Sequence, residues 1–230
     1  MTQLTANEAR VLGVLVEKAQ TTPAQYPMSL NGLVAGCNQK NNRDPVLTLS
    51  EESVQDALDG LRGKNIIRQV ELTGSRVAKF RHIARETLEV DTNQLVILTE
   101  LLLRGPQTLG ELRGRASRMH PLESLDVVQN ILQSLMERAE PLVGRLAPLP
   151  GSRAERYQQL LSPELNAVHH TRAGAPATDP AASAHGRKTV AADDAELAAR
   201  VEALERQVSE LSDAVSRISA AQSVAQASVA

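Results

Sequence analysis

Val54-Gln55-Asp56-Ala57-Leu58-Asp59-Gly60-Leu61 is followed by the run Ile66-Ile67-Arg68-Gln69-Val70-Glu71-Leu72, the turn Gly74-Ser75-Arg76, and Val77-Ala78-Lys79-Phe80-Arg81-His82-Ile83. Further along, Val128-Gln129-Asn130-Ile131-Leu132-Gln133-Ser134-Leu135 leads to Leu142-Val143-Gly144-Arg145-Leu146, the turn Gly151-Ser152-Arg153, and Ala154-Glu155-Arg156-Tyr157. The first segment of each copy has its apolar residues at helical spacing, and Ser50 stands as an N-cap before the first. Apolar, β-branched runs around a Gly-containing turn read as a hairpin. After each turn a basic residue precedes an aromatic one, Lys79-Phe80 and Arg156-Tyr157. Agreement in helix, turn and aromatic together marks an internal repeat.

Working outward, each copy begins with another amphipathic helix. Thr5 and Glu8 form a capping-box signature ahead of Ala9, Val11, Leu12, Leu15 and Val16. The second copy carries Val96, Ile97, Leu98, Leu101 and Leu102. A short second helix follows Pro27, and Pro27-Met28-Ser29-Leu30-Asn31-Gly32-Leu33 is echoed by Pro106-Gln107-Thr108-Leu109-Gly110-Glu111-Leu112. Three helices and a two-stranded hairpin are the winged-helix plan, a helix-turn-helix variant. The expected fold is α+β and mostly helical: one winged-helix domain over 1–90 and a second over 91–162.

The remainder reads differently. Residues 163–192 are rich in Ala, Pro, Gly, Ser and Thr, the composition of a flexible linker. Over 193–221 the residues Leu197, Val201, Leu204, Val208, Leu211, Val215 and Ile218 alternate spacings of four and three, a coiled-coil seam. Val at a with Leu at d favours a parallel two-stranded coil, hence a homodimer. The alternative is a single helix docked on the body, for which Ala198, Ala203 and Ala214 widen the apolar stripe. Residues 222–230 read as a disordered tail.

Composition narrows the function. Tyr26, Phe80 and Tyr157 are the only aromatic residues, which counts against base-stacking platforms. Net charge is −2: residues 1–90 carry +1, residues 91–162 are neutral, and residues 163–230 carry −3. A nucleic-acid wrapper ordinarily shows a basic excess. Cys37 is the sole cysteine, so no intrachain disulfide forms and a reducing compartment is expected. With no signal pattern and no long apolar run, the expectation is a cytoplasmic protein without a membrane partner.

Some irregular loops carry a family likeness. Tyr26-Pro27-Met28-Ser29-Leu30-Asn31, Cys37-Asn38-Gln39-Lys40-Asn41-Asn42-Arg43-Asp44-Pro45, Leu103-Arg104-Gly105-Pro106-Gln107-Thr108, Gly110-Glu111-Leu112-Arg113 and Arg118-Met119-His120 resemble the signature of the bacterial YceH-like family. The resemblance spans roughly residues 3–162 and implies tandem winged-helix domains. It implies no activity.

A winged helix usually reads DNA with its third helix. Here that helix would expose Glu51, Glu52, Gln55, Asp56 and Asp59, and its counterpart Glu123, Asp126, Gln129, Asn130, Gln133 and Glu137. Carboxylates there oppose the phosphate attraction that supplies most non-specific affinity. Against this stand the donor-rich loop Asn38, Gln39, Lys40, Asn41, Asn42 and Arg43, the cluster Arg113, Arg115 and Arg118, and the wing residues Arg76 and Arg153. The ordinary readings are Asn side chains satisfying an irregular loop, and arginines in local pairs with Glu111 or Glu123. The sequence therefore favours a non-catalytic adapter with a protein partner. The alternative is a regulator binding double-stranded DNA through loops and wings, which a continuous basic stripe through Lys40, Arg43, Arg76 and Arg113–Arg118 would favour.

No catalytic, cofactor or metal site is expected. There is no phosphate-cradling glycine loop, metal-spaced Cys/His set or nucleophile elbow. Cys37 with His82 or His120 is imaginable as nucleophile and base, but a lone cysteine beside a short apolar helix is ordinarily a small core residue. His169, His170 and His185 read as solvated linker residues.

Overall fold

The computed structural model describes residues 3–71, 77–149 and 151–167. The heptad seam, Arg76 and most of the expected linker lie outside these residues. The chain divides into two units, Met1–Ala175 and Pro176–Ala230, and the described residues all belong to the first.

The first half comprises α1 (Ala6–Thr21), β1 (Met28–Ser29), α2 (Leu30–Cys37), α3 (Glu51–Gly63), β2 (Ile67–Val70), β3 (Lys79–His82) and a short α4 (Ala84–Thr87). The second comprises α5 (Thr92–Arg104), β4 (Gln107–Thr108), α6 (Leu109–Ala116), α7 (Leu125–Met136), β5 (Val143–Leu146) and β6 (Arg156–Gln159). Among the described residues the fold is mostly helical with two small antiparallel sheets, ordered β1-β3-β2 and β4-β6-β5. Both halves are consistent with a winged-helix motif.

The repeat is visible in the strand register. Phe80 stands opposite Met28 on one side and Gln69 on the other. Tyr157 stands opposite Gln107 and Arg145. Sequence alone suggests two strands per sheet, and the structure adds a third. β1 and β4 are two residues long, too short to show alternation. Their second residues also cap the next helix: Ser29 Oγ accepts from Gly32 N–H and Thr108 Oγ1 from Glu111 N–H. The other long helices open on Thr5, Ser50, Asp91 and Ser124, each satisfying an otherwise orphaned amide.

α1 and α5 hold the two halves together. Every residue from Glu8 to Glu17 is buried, as is every residue from Leu95 to Leu103. A helix covered on all sides is an interior helix, not an amphipathic one. α1 meets α5 at Gly13, where a Cβ would lie 2.8 Å from Leu103 Cδ2. It meets α2 where a Cβ on Gly36 would lie 2.7 Å from Val14 Cγ1. Leu12, Leu15, Leu33 and Leu58 of the first half thus share one core with Leu95, Leu98, Leu132 and Tyr157 of the second. The backbones are joined as well: Leu4 N–H donates to Leu161 O at 2.7 Å and Asp44 N–H to Leu103 O at 2.9 Å.

The folded body continues past residue 162, where composition places the start of the linker. Residues 163–167 are helical, with Leu165 and Asn166 buried. Gln159 fastens them, donating to Ser162 O at 3.0 Å and Asn166 Oδ1 at 2.9 Å, and accepting from Ser162 N–H at 2.7 Å.

Candidate functional site

The exposed faces of α3 and α7 are the first candidate surface. With Val54, Ala57, Leu58 and Leu61 buried, α3 exposes Glu51, Glu52, Asp56 and Asp59, and Gln55 is half-buried. With Val128, Ile131, Leu132 and Leu135 buried, α7 exposes Asp126, Gln129, Asn130 and Gln133, flanked by exposed Glu123 and Glu137. On the α3 face Arg62 pairs with Asp59 at 3.0 Å. That pair is about half exposed, where ion pairs contribute little.

The loop Asn38–Arg43 and the cluster Arg113–Arg118 are the second candidate, and much of both is turned inward. Asn38 brackets Leu49, accepting from its N–H at 2.7 Å and donating to its carbonyl at 2.9 Å. Asn42 adopts φ 60, a left-handed conformation that asparagine tolerates. Arg43 is 5% exposed. Its guanidinium donates to Gly36 O at 3.1 Å, Asn42 O at 2.8 Å, Gln39 Oε1 at 3.1 Å and Glu17 Oε2 at 2.5 Å.

Glu17 joins this loop to the second half. Its other oxygen accepts from Arg118 Nη1 at 2.5 Å, and Arg118 Nη2 donates to Glu100 Oε2 at 3.1 Å. Glu100 Oε1 pairs with Arg104 Nε at 3.1 Å, and Arg104 Nη2 donates back to Asn42 Oδ1. The chain of contacts Arg43–Glu17–Arg118–Glu100–Arg104–Asn42 closes on itself. Burial opposes ionisation of Glu17, but the guanidiniums of Arg43 and Arg118 outweigh it and hold its carboxyl below the ordinary value. Burial pulls Arg104 down, aided by Arg115, Arg118 and Arg43 and opposed by Glu100. Beside the ring, buried Arg10 donates to Cys37 O at 3.2 Å and Pro45 O at 2.7 Å; burial, then Arg43, brings it down to about 10.

The remaining candidates are dispersed. Lys40, Asn41, Arg113 and Arg153 are exposed. Arg113 donates to Glu123 O at 3.1 Å, and Arg115 pairs with Glu111 at 3.1 Å and donates to Gln107 at 3.0 Å. Arg43 and Arg118, which a continuous basic stripe would need, point into the body. Composition and spacing did not single out Glu17, Glu100 or Arg104. Their signal was present: a charged residue inside a helix buried on every side requires a partner.

Cys37 is fully buried and its thiol is pushed up to about 12 by burial, despite Arg10 and Arg43 nearby. So protonated a thiol is poorly suited to nucleophilic work. His82 is drawn down by burial, and its backbone N–H donates to Tyr26 Oη at 2.6 Å. Among the described residues no three His, Cys, Asp or Glu side chains are grouped to hold a metal ion, and no helix is long and apolar enough to cross a membrane.

Comparison of the sequence with known proteins finds bacterial relatives. A family model described as "Protein of unknown function, DUF480" matches residues 4–152. A "UPF0502 protein" of Pelobacter propionicus is 52% identical over 162 residues, 70% of this chain and 74% of that protein. One from Geobacter sulfurreducens is 51% identical over 166 residues, 71% and 75% of the two chains. One from Shewanella halifaxensis is 43% identical over 220 residues, 94% of this chain and 98% of its own.

Proposed function

Since this chain belongs to the family described as a protein of unknown function, DUF480, its role has to be read from its surface, and we propose that it is a non-catalytic docking protein of two winged-helix modules that receives a basic protein segment on its acidic third-helix faces. One observation carries this reading: Glu51, Glu52, Asp56 and Asp59 face solvent on α3 while Arg43 and Arg118 are consumed inside the body. The face that enters the major groove in most winged helices would here meet phosphate with carboxylate. Buried ion pairs are better attested as specifiers of arrangement than as sources of stability. The ring fixes how the two modules are presented together.

DNA binding through loops and wings is the second reading, supported by the exposure of Lys40, Arg113 and Arg153. Fluorescence anisotropy separates the two. A labelled Lys/Arg-rich peptide is expected to bind the full chain and to be released by Glu52→Lys with Asp56→Lys. A labelled random duplex is expected not to bind at about 50 mM salt, where counterion release is most favourable. Duplex binding that weakens steeply towards about 200 mM salt, and is lost in a Lys40, Arg113, Arg153 triple alanine variant, would install the regulator reading instead.

The heptads from Leu197 to Ile218 belong to the same proposal: two copies pair through them and present the docking faces twice. Sedimentation equilibrium of the full chain against a chain lacking residues 190–230 tests this. A dimer becoming a monomer is expected, and equal association states would refute it.

A further inference from the structure

We infer that the free edge of the first sheet, at β2, is a second docking site of opposite charge, built to accept an extended acidic peptide as an added strand. Arg68 on β2 stands directly opposite Arg81 on β3, and both are exposed. Lys79, opposite Val70, lies on the same face by the two-residue alternation of strands. Among the described residues none of the three has a carboxylate partner. Like charges directly opposite one another destabilise a sheet. The second sheet has Gly144 opposite Gln158 at the equivalent place. The arginine pair is therefore not demanded by the fold, and an anionic occupant would relieve it.

The backbone beside this pair is available. β2 is an edge strand. Ile83 N–H donates to Ile66 O at 2.8 Å. By the alternation of an antiparallel ladder, Arg68 and Arg81 are then also a hydrogen-bonded pair. Gln69, the exposed residue between such pairs, turns its amide and carbonyl towards the open edge. A shallow, open groove of about 520 Å³ lies there, bordered by Asp59, Arg62 and Gly63 at the end of α3 and by Ile67, Arg68 and Gln69. Gly63 leaves that border low, with nothing within 4 Å of where a Cβ would stand. A strand laid in the groove would hydrogen-bond at Gln69 and place alternate side chains on the arginine face, the geometry of strand addition.

The neighbours decide between a peptide and a duplex. Asp59 borders the groove, and Glu86 lines the cavity of about 320 Å³ beside Arg68 and Arg81. The α3 carboxylates lie beyond Asp59. A duplex, with a charge about every 1.7 Å along its axis, would be driven onto those carboxylates. A single strand presenting a few carboxylates would not.

The probe is a labelled heptapeptide alternating Glu and Val, titrated with the full chain by anisotropy. Binding is expected that weakens several-fold on raising salt and falls at least tenfold in Arg68→Glu and in Arg81→Glu. Each single reversal exchanges a like-charge pair for an opposite-charge pair, so its melting temperature should equal or exceed the parent's, which separates lost binding from lost folding. Slowed hydrogen exchange at the Gln69 amide on binding reports the added strand. Glu52→Lys with Asp56→Lys should leave this binding intact, so its failure and that of the α3 reading are distinguishable. Absent binding, binding retained by Arg68→Glu, an equally tight Lys/Val heptapeptide, or a duplex displacing the acidic peptide from the arginines would each overturn the inference.

Discussion

Glu17 and Arg118, 101 residues apart in the chain, meet at 2.5 Å, and the same carboxylate holds Arg43 at 2.5 Å with its other oxygen. One side chain of α1 thus serves the loop after α2 and the end of α6 together. Glu17 and Arg43 are almost enclosed, 3% and 0% exposed as side chains, while Arg118 is partly exposed at 25%.

Replacing Glu17 by Gln should leave two guanidiniums without their shared counter-charge. Removing one partner from a buried pair costs about 3 kcal/mol or more. The urea midpoint should fall accordingly with little change in slope. A midpoint unchanged from the parent would mean that the ring holds nothing together.

Acid stability should carry the signature of the same carboxyl. Its folded-state value is depressed, so its contribution is complete above the ordinary 4.5 and is lost as pH falls through the lowered value. Urea midpoints at a series of pH values should show the parent converging on Glu17→Gln as the solution is acidified below that range. Parallel curves for the two proteins would remove Glu17 from the linkage.

Two glycine substitutions should act in opposite directions. At Gly13 an added methyl meets Leu103 at the α1–α5 crossing. Overpacking of about 1–3 kcal/mol should outweigh a helix-propensity gain of about 1 kcal/mol. At Gly114, exposed within α6 with nothing within 4 Å of the added carbon, only the propensity gain remains, about 0.5–1 kcal/mol. Thermal midpoints of Gly13→Ala below the parent and Gly114→Ala above it are expected.

Cys37 should resist thiol reagents in the native protein. With the side chain enclosed and the thiol pushed up to about 12, labelling at neutral pH should proceed only as fast as the protein opens, and should become immediate in denaturant. Rapid stoichiometric labelling without denaturant would contradict the burial described.

Local chemistry made much of the fold readable. Thr5 with Glu8 and Ser50 ahead of Val54 announce helix starts, and the apolar spacing of α3 and α7 assigns their inner and outer faces correctly. The Gly-turn and aromatic pairing of Phe80 with Tyr157 exposes the repeat. β1 was hidden because Met28-Ser29 is too short for alternation and because Ser29 doubles as a cap. The direction of the arginines was hidden for a different reason. Arg43 and Arg118 are drawn inward by Glu17 and Glu100, partners distant in sequence, whereas Arg115 answers to Glu111 four residues away. Only the local pair lay within reach of spacing rules.

The complete enclosure of residues 8–17 has a last consequence. α1 is covered on one flank by its own module and on the other by α5, so a fragment ending near residue 90 would present a bare apolar stripe to water. The two copies behave, in effect, as unlike subunits of an obligate pair written on one polypeptide. A severed copy would be a subunit without its mate, inclined to clump or to invade another molecule at its α5. Inheritance of both halves on a single chain guarantees their one-to-one stoichiometry.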